Sequence, residues 1–167
     1  MTTIVFRDGV MASDGKGSCG DLAVELGVKK ISVSIKHQFI AGHAGDPTVA
    51  NQIFRALDRL NKLPWEDANV DMSFADLDGS GVIIAHKDGR MIQICNVGWF
   101  EMSIEPFYVI GSGTPVAMGA LHMGASAEQA IEAACVYDNN SGGKARSVSL
   151  DDIPPRPVRK SRKKSEK

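Results

Sequence analysis

Short apolar runs separated by turn residues occupy the chain up to Gly45 and predict four strands. Thr3 to Val10 reads as a strand that enters a hairpin turn at Asp8-Gly9, and Val10-Met11-Ala12 returns toward Ser13-Asp14-Gly15. After a polar stretch from Lys16 to Gly20, Val28 to Ser34 and Gln38 to Ala41 form a second apolar pair around a turn at Lys36-His37. The period then changes. Asp46-Pro47-Thr48 supplies an N-cap acid and a first-turn proline. Val49, Ile53, Leu57 and Leu60 follow at helical spacing, predicting a helix to about Lys62 that Pro64 stops. Trp65 to Asp78 is acidic and weakly periodic, enough for a short helix at most.

A third strand group covers Val82 to His86, the Lys87-Asp88-Gly89 turn, Met91 to Val97, Trp99 to Ile104 and Phe107 to Ile110. Gly111-Ser112-Gly113 breaks the pattern, and Thr114-Pro115 reads as a cap and first-turn pair opening a helix through about Met123. Gly124-Ala125-Ser126 caps again, and Ala127 to Tyr137 carries Ala130, Ile131, Ala134 and Cys135 on one stripe. Ala145 to Leu150 is the last strand candidate. Runs of strands separated by runs of helices point to antiparallel sheets with helices on their outer faces, an α+β fold rather than a parallel doubly wound sheet.

Composition narrows the picture without changing it. A chain of 167 residues, 43% hydrophobic and 23% charged, suits one globular domain with a sizeable core. No apolar run approaches the ~20 residues of a membrane helix, and the N-terminus lacks a signal-peptide core, so a cytoplasmic location is expected. Cys19, Cys95 and Cys135 are three, with no CxxC pair, and free thiols are expected. Cys135 lies in an apolar helical pattern and reads as core rather than as a nucleophile. His37, His43, His86 and His122 show no ligand spacing, so no zinc site is expected.

The net charge of −1 conceals two unlike parts. Residues 156–167 carry +6, and the remainder carries −7. The segment 151–167, with Pro154, Pro155 and Pro157 before the basic run, has little to bury and reads as a disordered tail to a domain spanning 2–150. A solvated tail needs no function, but such a segment can bind nucleic acid or an acidic partner at low salt.

Candidate chemistry begins at Thr2. A small residue behind an initiator methionine permits removal of Met1, which would give Thr2 a free α-amine. That amine titrates near pH 8, roughly 2 units below lysine, so part of it is neutral at physiological pH and can take a proton from the hydroxyl of the same residue. An ordinary first strand opening Met-Thr-Thr is the plain alternative.

Further residues narrow the choice. Thr2-Thr3-Ile4-Val5, Asp14-Gly15, Gly27-Val28-Lys29-Lys30, Ile40-Ala41-Gly42-His43-Ala44-Gly45, Ile110-Gly111-Ser112-Gly113 and Cys135-Val136-Tyr137-Asp138-Asn139-Asn140-Ser141-Gly142-Gly143 resemble, in order and at nearly matching spacings, the proteasome β-type peptidases, most closely the HslV-type bacterial enzyme. The resemblance runs from Thr2 to about Leu150. It implies an N-terminal-nucleophile hydrolase fold, a four-layer sandwich of helices, two antiparallel sheets and helices.

Carried over position by position, the resemblance makes Thr2 the nucleophile and its amine the base. Lys30 would tune both by its charge, held in place by Asp14. Gly45 would present its backbone N–H to the oxyanion. Ser112, Asp138 and Ser141 would hydrogen-bond around the amine, and Val28 and His43 would line the pocket for the substrate side chain. HslV-type relatives imply a backbone cation site near Glu132, Cys135 and Asp138, for a monovalent or divalent ion, although no cofactor is required.

The implied function is a threonine-type endopeptidase subunit. It would form stacked homo-oligomeric rings, degrade unfolded polypeptides and take them from an ATP-dependent AAA+ unfoldase. Confinement is the physical reason for rings, since one subunit encloses nothing. Trp65 to Asp78 departs from the relatives, whose second helix is long, and this bears on ring size and partner. The alternatives are a non-catalytic scaffold that holds a partner through its basic tail, and an amidase of the same chemistry acting on a small molecule.

Overall fold

The computed structural model describes residues 2–19, 22–67, 69–70, 79–96, 98–103 and 105–156. Strands β1 (Thr3–Arg7) and β2 (Val10–Ser13) form the first hairpin, turning through Asp8 and Gly9, which both have positive φ. Strands β3 (Gly17–Cys19) and β4 (Leu22–Glu25) make a separate two-stranded ribbon within and beyond the stretch that reads as merely polar. Strands β5 (Ile31–Ser34) and β6 (Phe39–Ala44) follow, then helix α1 (Pro47–Arg59). Next come β7 (Gly81–His86), β8 (Met91–Cys95), β9 (Gly98–Glu101) and β10 (Phe107–Gly111). Helices α2 (Thr114–His122) and α3 (Ala127–Tyr137) lead to β11 (Arg146–Ser149) and a 3-10 turn, Leu150–Asp152. The fold is α+β, with three antiparallel sheets ordered β10-β1-β2-β11, β3-β4 and β5-β6-β7-β8-β9.

Alternation along the strands shows what each face covers. Ile4 and Met11 of the four-stranded sheet share one cluster with Ile40, Ile83, Ala85 and Met91 of the five-stranded sheet. Their sequence neighbours face the other way, because successive strand side chains point to opposite faces. Phe39, Ala41, Val82 and Ile84 pack with Ile53 and Leu57 of α1. Val5 and Ala12 pack with Ala117, Leu121, Ala130 and Ile131 of α2 and α3. Strands buried on both faces read as continuous apolar runs, which is why β1, β6 and β7 are plain in the sequence. Gly42 lets the sheets approach, since a Cβ there would stand 2.5 Å from Ile4 Cγ2 and 2.9 Å from Met11 Sδ.

The helix signals act largely as read. Asp46 caps α1, accepting a hydrogen bond from Thr48 N at 2.6 Å, with Pro47 in the first turn. Ser126 and Gln129 form a reciprocal capping box on α3. On α2 the cap is Gly113, and Thr114 is already helical, its hydroxyl donating to Gly111 O at 2.7 Å. Helix α1 ends at Arg59, short of Lys62, because Leu60 turns extended and Leu63 folds back into the α1 cluster. Residues 61–67 form bends and turns without a helix, and the rest of the expected stub, 71–78, lies outside the described residues.

Packing continues past Leu150. Ile153 is 2% exposed within the cluster between the sheets, its carbonyl accepting from Lys87 Nζ at 2.9 Å. Pro154 O accepts from Gln38 Nε2 at 2.9 Å. The tail from residue 157, with most of the basic run, lies outside the described residues. No described helix is long and apolar enough to cross a membrane.

Gly111 is the tightest backbone position beside Thr2. It has a φ of +102°, and a Cβ there would run into the Thr2 carbonyl. Gly124 has a similar φ of +95° but open space around it. Gly124→Ala therefore carries only the conformational cost, about 1 kcal/mol. Gly111→Ala adds the clash and is expected to cost on the order of 2 kcal/mol more. Thermal denaturation of both variants checks the difference.

Candidate functional site

The backbone of Thr2 and Thr3 is clamped from two sides. Ser112 N–H donates to Thr2 O at 2.9 Å from the β10–α2 turn. Thr3 N–H donates to Asp14 Oδ1 at 2.9 Å, and Asp14 N–H returns a bond to Thr3 O at 3.2 Å just past β2. Thr2 is 4% exposed, so its position is fixed rather than frayed.

Asp14 is fully buried and gathers four donors. Its Oδ1 accepts from Thr3 N and from Lys30 Nζ at 2.8 Å, and its Oδ2 accepts from Lys16 N at 3.1 Å and Gly142 N at 3.2 Å. Lys30, 3% exposed, also donates to Lys16 O at 2.7 Å. Burial pulls the Lys30 ammonium below the usual lysine range, and Asp14 pulls it back toward the charged form. Val28 to Lys30 are not strand, because Val28 N–H bonds across to Gly15 O, and the chain rejoins the sheet only at Ile31.

A second network ends on Asp138, the C-cap of α3. Ser112 and Ser141 hydroxyls both donate to Asp138 Oδ2, at 2.8 and 2.7 Å, and Asn140 N–H donates to Oδ1 at 3.2 Å. Burial pushes the Asp138 carboxyl up, but these three donors outweigh it and hold it below the usual carboxylate range. An ionised acceptor fixes the direction of the chain. Ser141 directs its one hydroxyl hydrogen to Asp138, so at 2.5 Å it accepts from Thr3 Oγ1, which in turn accepts from Gly113 N–H at 3.0 Å.

Both networks meet beside one cavity of about 420 Å³, whose walls include Thr2, Val28, Lys30, His43 and Gly45. Gly45 has a φ of +115°, and a Cβ would stand 2.6 Å from Ser80 Cα, so only glycine fits there. Ser80 holds this wall from behind, its hydroxyl oxygen accepting from Asp46 N–H at 2.9 Å. His43 is 6% exposed, edge-on to Phe54 with ring centroids 6.3 Å apart, and its Nδ1 has no partner among the described residues. Burial and the charge of Lys30 lower its pKa, against the pull of a hydrogen bond to the Lys30 backbone and of Asp46.

A depressed histidine stabilises the fold above the unfolded value of about 6.5, and that contribution is lost as pH falls through the lower folded value. The thermal midpoint is therefore expected to drop between pH 7.5 and 5.5. His43→Gln should flatten part of the drop, with the remainder resting on His37, whose pKa burial also lowers.

The structure thus brings Thr2, Val28, Lys30, His43 and Gly45 to one cavity. Asp14 lies beneath it, and Ser112, Asp138 and Ser141 lie behind the Thr2-Thr3 backbone. The side chains near the expected backbone cation site do not converge. Glu132 is exposed, Cys135 is half-buried with its thiol pushed up by burial, and the Asp138 oxygens are occupied by the three donors. Among the described residues no three His, Cys, Asp or Glu side chains converge, so these side chains do not form a ligand set. Three contributors escape sequence reasoning: Thr3 as a relay, Lys16 through its carbonyl, and Ser80 behind Gly45. Only Thr3 left a signal, the doubled threonine at the start of β1.

No family model matches the chain, and no curated protein matches it. The fold is similar to that of Thiobacillus denitrificans BPH, with a TM-score of 0.62 and 21% identity over 89% of this chain and 97% of that one. It is likewise similar to Thiobacillus denitrificans BPH in complex with epoxomicin, with a TM-score of 0.63 and 21% identity over 89% and 98% of the two chains.

Proposed function

We propose that the chain is a threonine peptidase of the N-terminal-nucleophile type, built as a four-layer sandwich and active once the chain before Thr2 is removed. The observation that carries the reading is Thr2 on a cavity wall shared with a buried lysine that a fully buried aspartate holds in place. Two observations support it: the glycine-only wall at Gly45, and a similar fold solved in complex with epoxomicin.

The chemistry follows from these groups. The Thr2 amine takes the hydroxyl proton as Oγ attacks the scissile carbonyl, and the developing oxyanion is stabilised by the Gly45 N–H. The C–N bond breaks, the amine passes its proton to the leaving nitrogen, and an ester remains on Thr2. Water, deprotonated by the same amine, hydrolyses the ester and restores the hydroxyl. Lys30 keeps positive charge beside the amine, which disfavours protonation there and keeps the base available. Val28 and His43 shape the side-chain pocket.

In this reading the subunits close into stacked rings, so that only unfolded polypeptide reaches Thr2. Sedimentation together with hydrolysis of an unfolded polypeptide tests it. A large assembly that cleaves the unfolded substrate and spares its folded form is expected; a monomer without peptidase activity would contradict the proposal.

A further inference from the structure

A second cavity, also about 420 Å³, is lined by residues next to those that line the first. Ala44 lines this cavity and the next residue, Gly45, lines the other. Gly111 lines it and lies against the Thr2 carbonyl, while Thr2 itself lines the first. Ser80 lines it and supports Gly45 from behind. Thr2 and Gly45 therefore line the first cavity and lie against residues that line the second.

A peptide attacked at Thr2 must extend both ways from the scissile carbonyl. At roughly 3.5 Å per residue, an extended chain moves away from Thr2 and Gly45 within one or two residues on each side. We propose that the second cavity receives the leaving-group half of the peptide and selects its first residue. This inference rests on the threonine-peptidase reading and adds a specificity site to it.

The two cavities differ in chemistry. Charged side chains border the first: Lys16, Lys29 and Lys30, with Glu25. The second is bordered by the carboxamides of Gln93 and Asn96, the hydroxyl of Ser80 and the thiol of Cys95, with no charged side chain among its described lining residues. Carboxamides offer both donors and acceptors but no counter-charge. The cavity therefore favours asparagine, glutamine or serine after the scissile bond and penalises aspartate, glutamate or lysine, whose charges would lose water without gaining a partner.

The test uses peptides with one fixed acyl half and Asn, Asp or Lys as the first leaving residue. Because kcat/KM covers acylation, while the leaving half is still attached, it reports the second cavity. Asn is expected to exceed Asp and Lys by about tenfold. The double variant Gln93→Leu with Asn96→Leu should bring the three within about twofold of one another, and Gln93→Glu should turn the preference toward Lys. A peptide epoxyketone, which carries its peptide on the acyl side only, reports whether Thr2 is assembled in each variant.

Equal rates for the three peptides in the unaltered protein, or a preference that survives in either variant, would overturn the inference. If the unaltered protein labels and cleaves without a leaving-side preference, this inference alone falls. If it neither labels nor cleaves, the peptidase reading falls and takes the inference with it.

Discussion

Thr2→Ala is expected to lower peptide hydrolysis by roughly 10³-fold or more while the fold persists. The variant deletes the proposed nucleophile Oγ and keeps the backbone clamp, since Ser112 N–H bonds the Thr2 carbonyl and Asp14 holds the neighbouring Thr3 amide. Alanine is also small enough for the preceding methionine to be removed, so loss of activity cannot be assigned to a blocked amine. Thr2→Ser retains the oxygen and loses only a methyl group, and about a tenth of the activity or more should remain. Circular dichroism and steady-state hydrolysis of one peptide by all three proteins separate these outcomes.

Asp14→Ala should produce the largest change in stability. It removes the charged partner of buried Lys30, which keeps its bond to Lys16 O, and leaves the Thr3, Lys16 and Gly142 amides without their acceptor. Breaking a buried ion pair from one side costs about 3–5 kcal/mol, much of it from stranding the remaining charge. Removing both charges, as Asp14→Asn with Lys30→Met, strands none. The double variant should recover a large part of the stability seen without Asp14, yet remain inactive, because the charge beside Thr2 is gone. Urea unfolding of the single and double variants, paired with hydrolysis rates, checks this. Recovery of activity along with stability would show that Lys30 serves only the fold.

The sequence was most legible where physical signals coincided. Strands β1, β6 and β7 are buried on both faces and announce themselves as apolar runs, and α1 and α3 start at residues whose side chains cap them. The ribbon was not legible. Leu22 and Val24 of β4 are 69% and 62% exposed, β3 is short and polar, and the pairing shifts register between Gly17 and Ser18. Alternation does not mark it, and its one sequence signal is the Gly20-Asp21 dipeptide between the two short segments. The end of the packed chain was misplaced by a few residues because Ile153 is a lone apolar residue among prolines and acids, yet it finds a place between the sheets.

The candidate site was legible through the resemblance that its doubled threonine, its lysine pair and its glycines carry together, since each alone has a plain reading. What holds those groups was less so. Ser80 supports Gly45 from 35 residues away in the chain, and the Lys16 carbonyl that accepts from Lys30 belongs to the backbone, which carries no residue-specific signal. Supporting contacts of this kind arise only when distant elements meet.

The central claim is that Thr2 acts as an N-terminal nucleophile. Intact-mass measurement of the purified protein, before and after incubation with a peptide epoxyketone, tests it most directly, because that warhead needs both the hydroxyl and the free amine of an N-terminal threonine to close its adduct. The account predicts a chain beginning at Thr2 that gains one adduct per subunit, with no gain in Thr2→Ala. A chain that retains Met1, or one that begins at Thr2 and stays unlabelled in its assembled form, would contradict it and favour a non-catalytic scaffold.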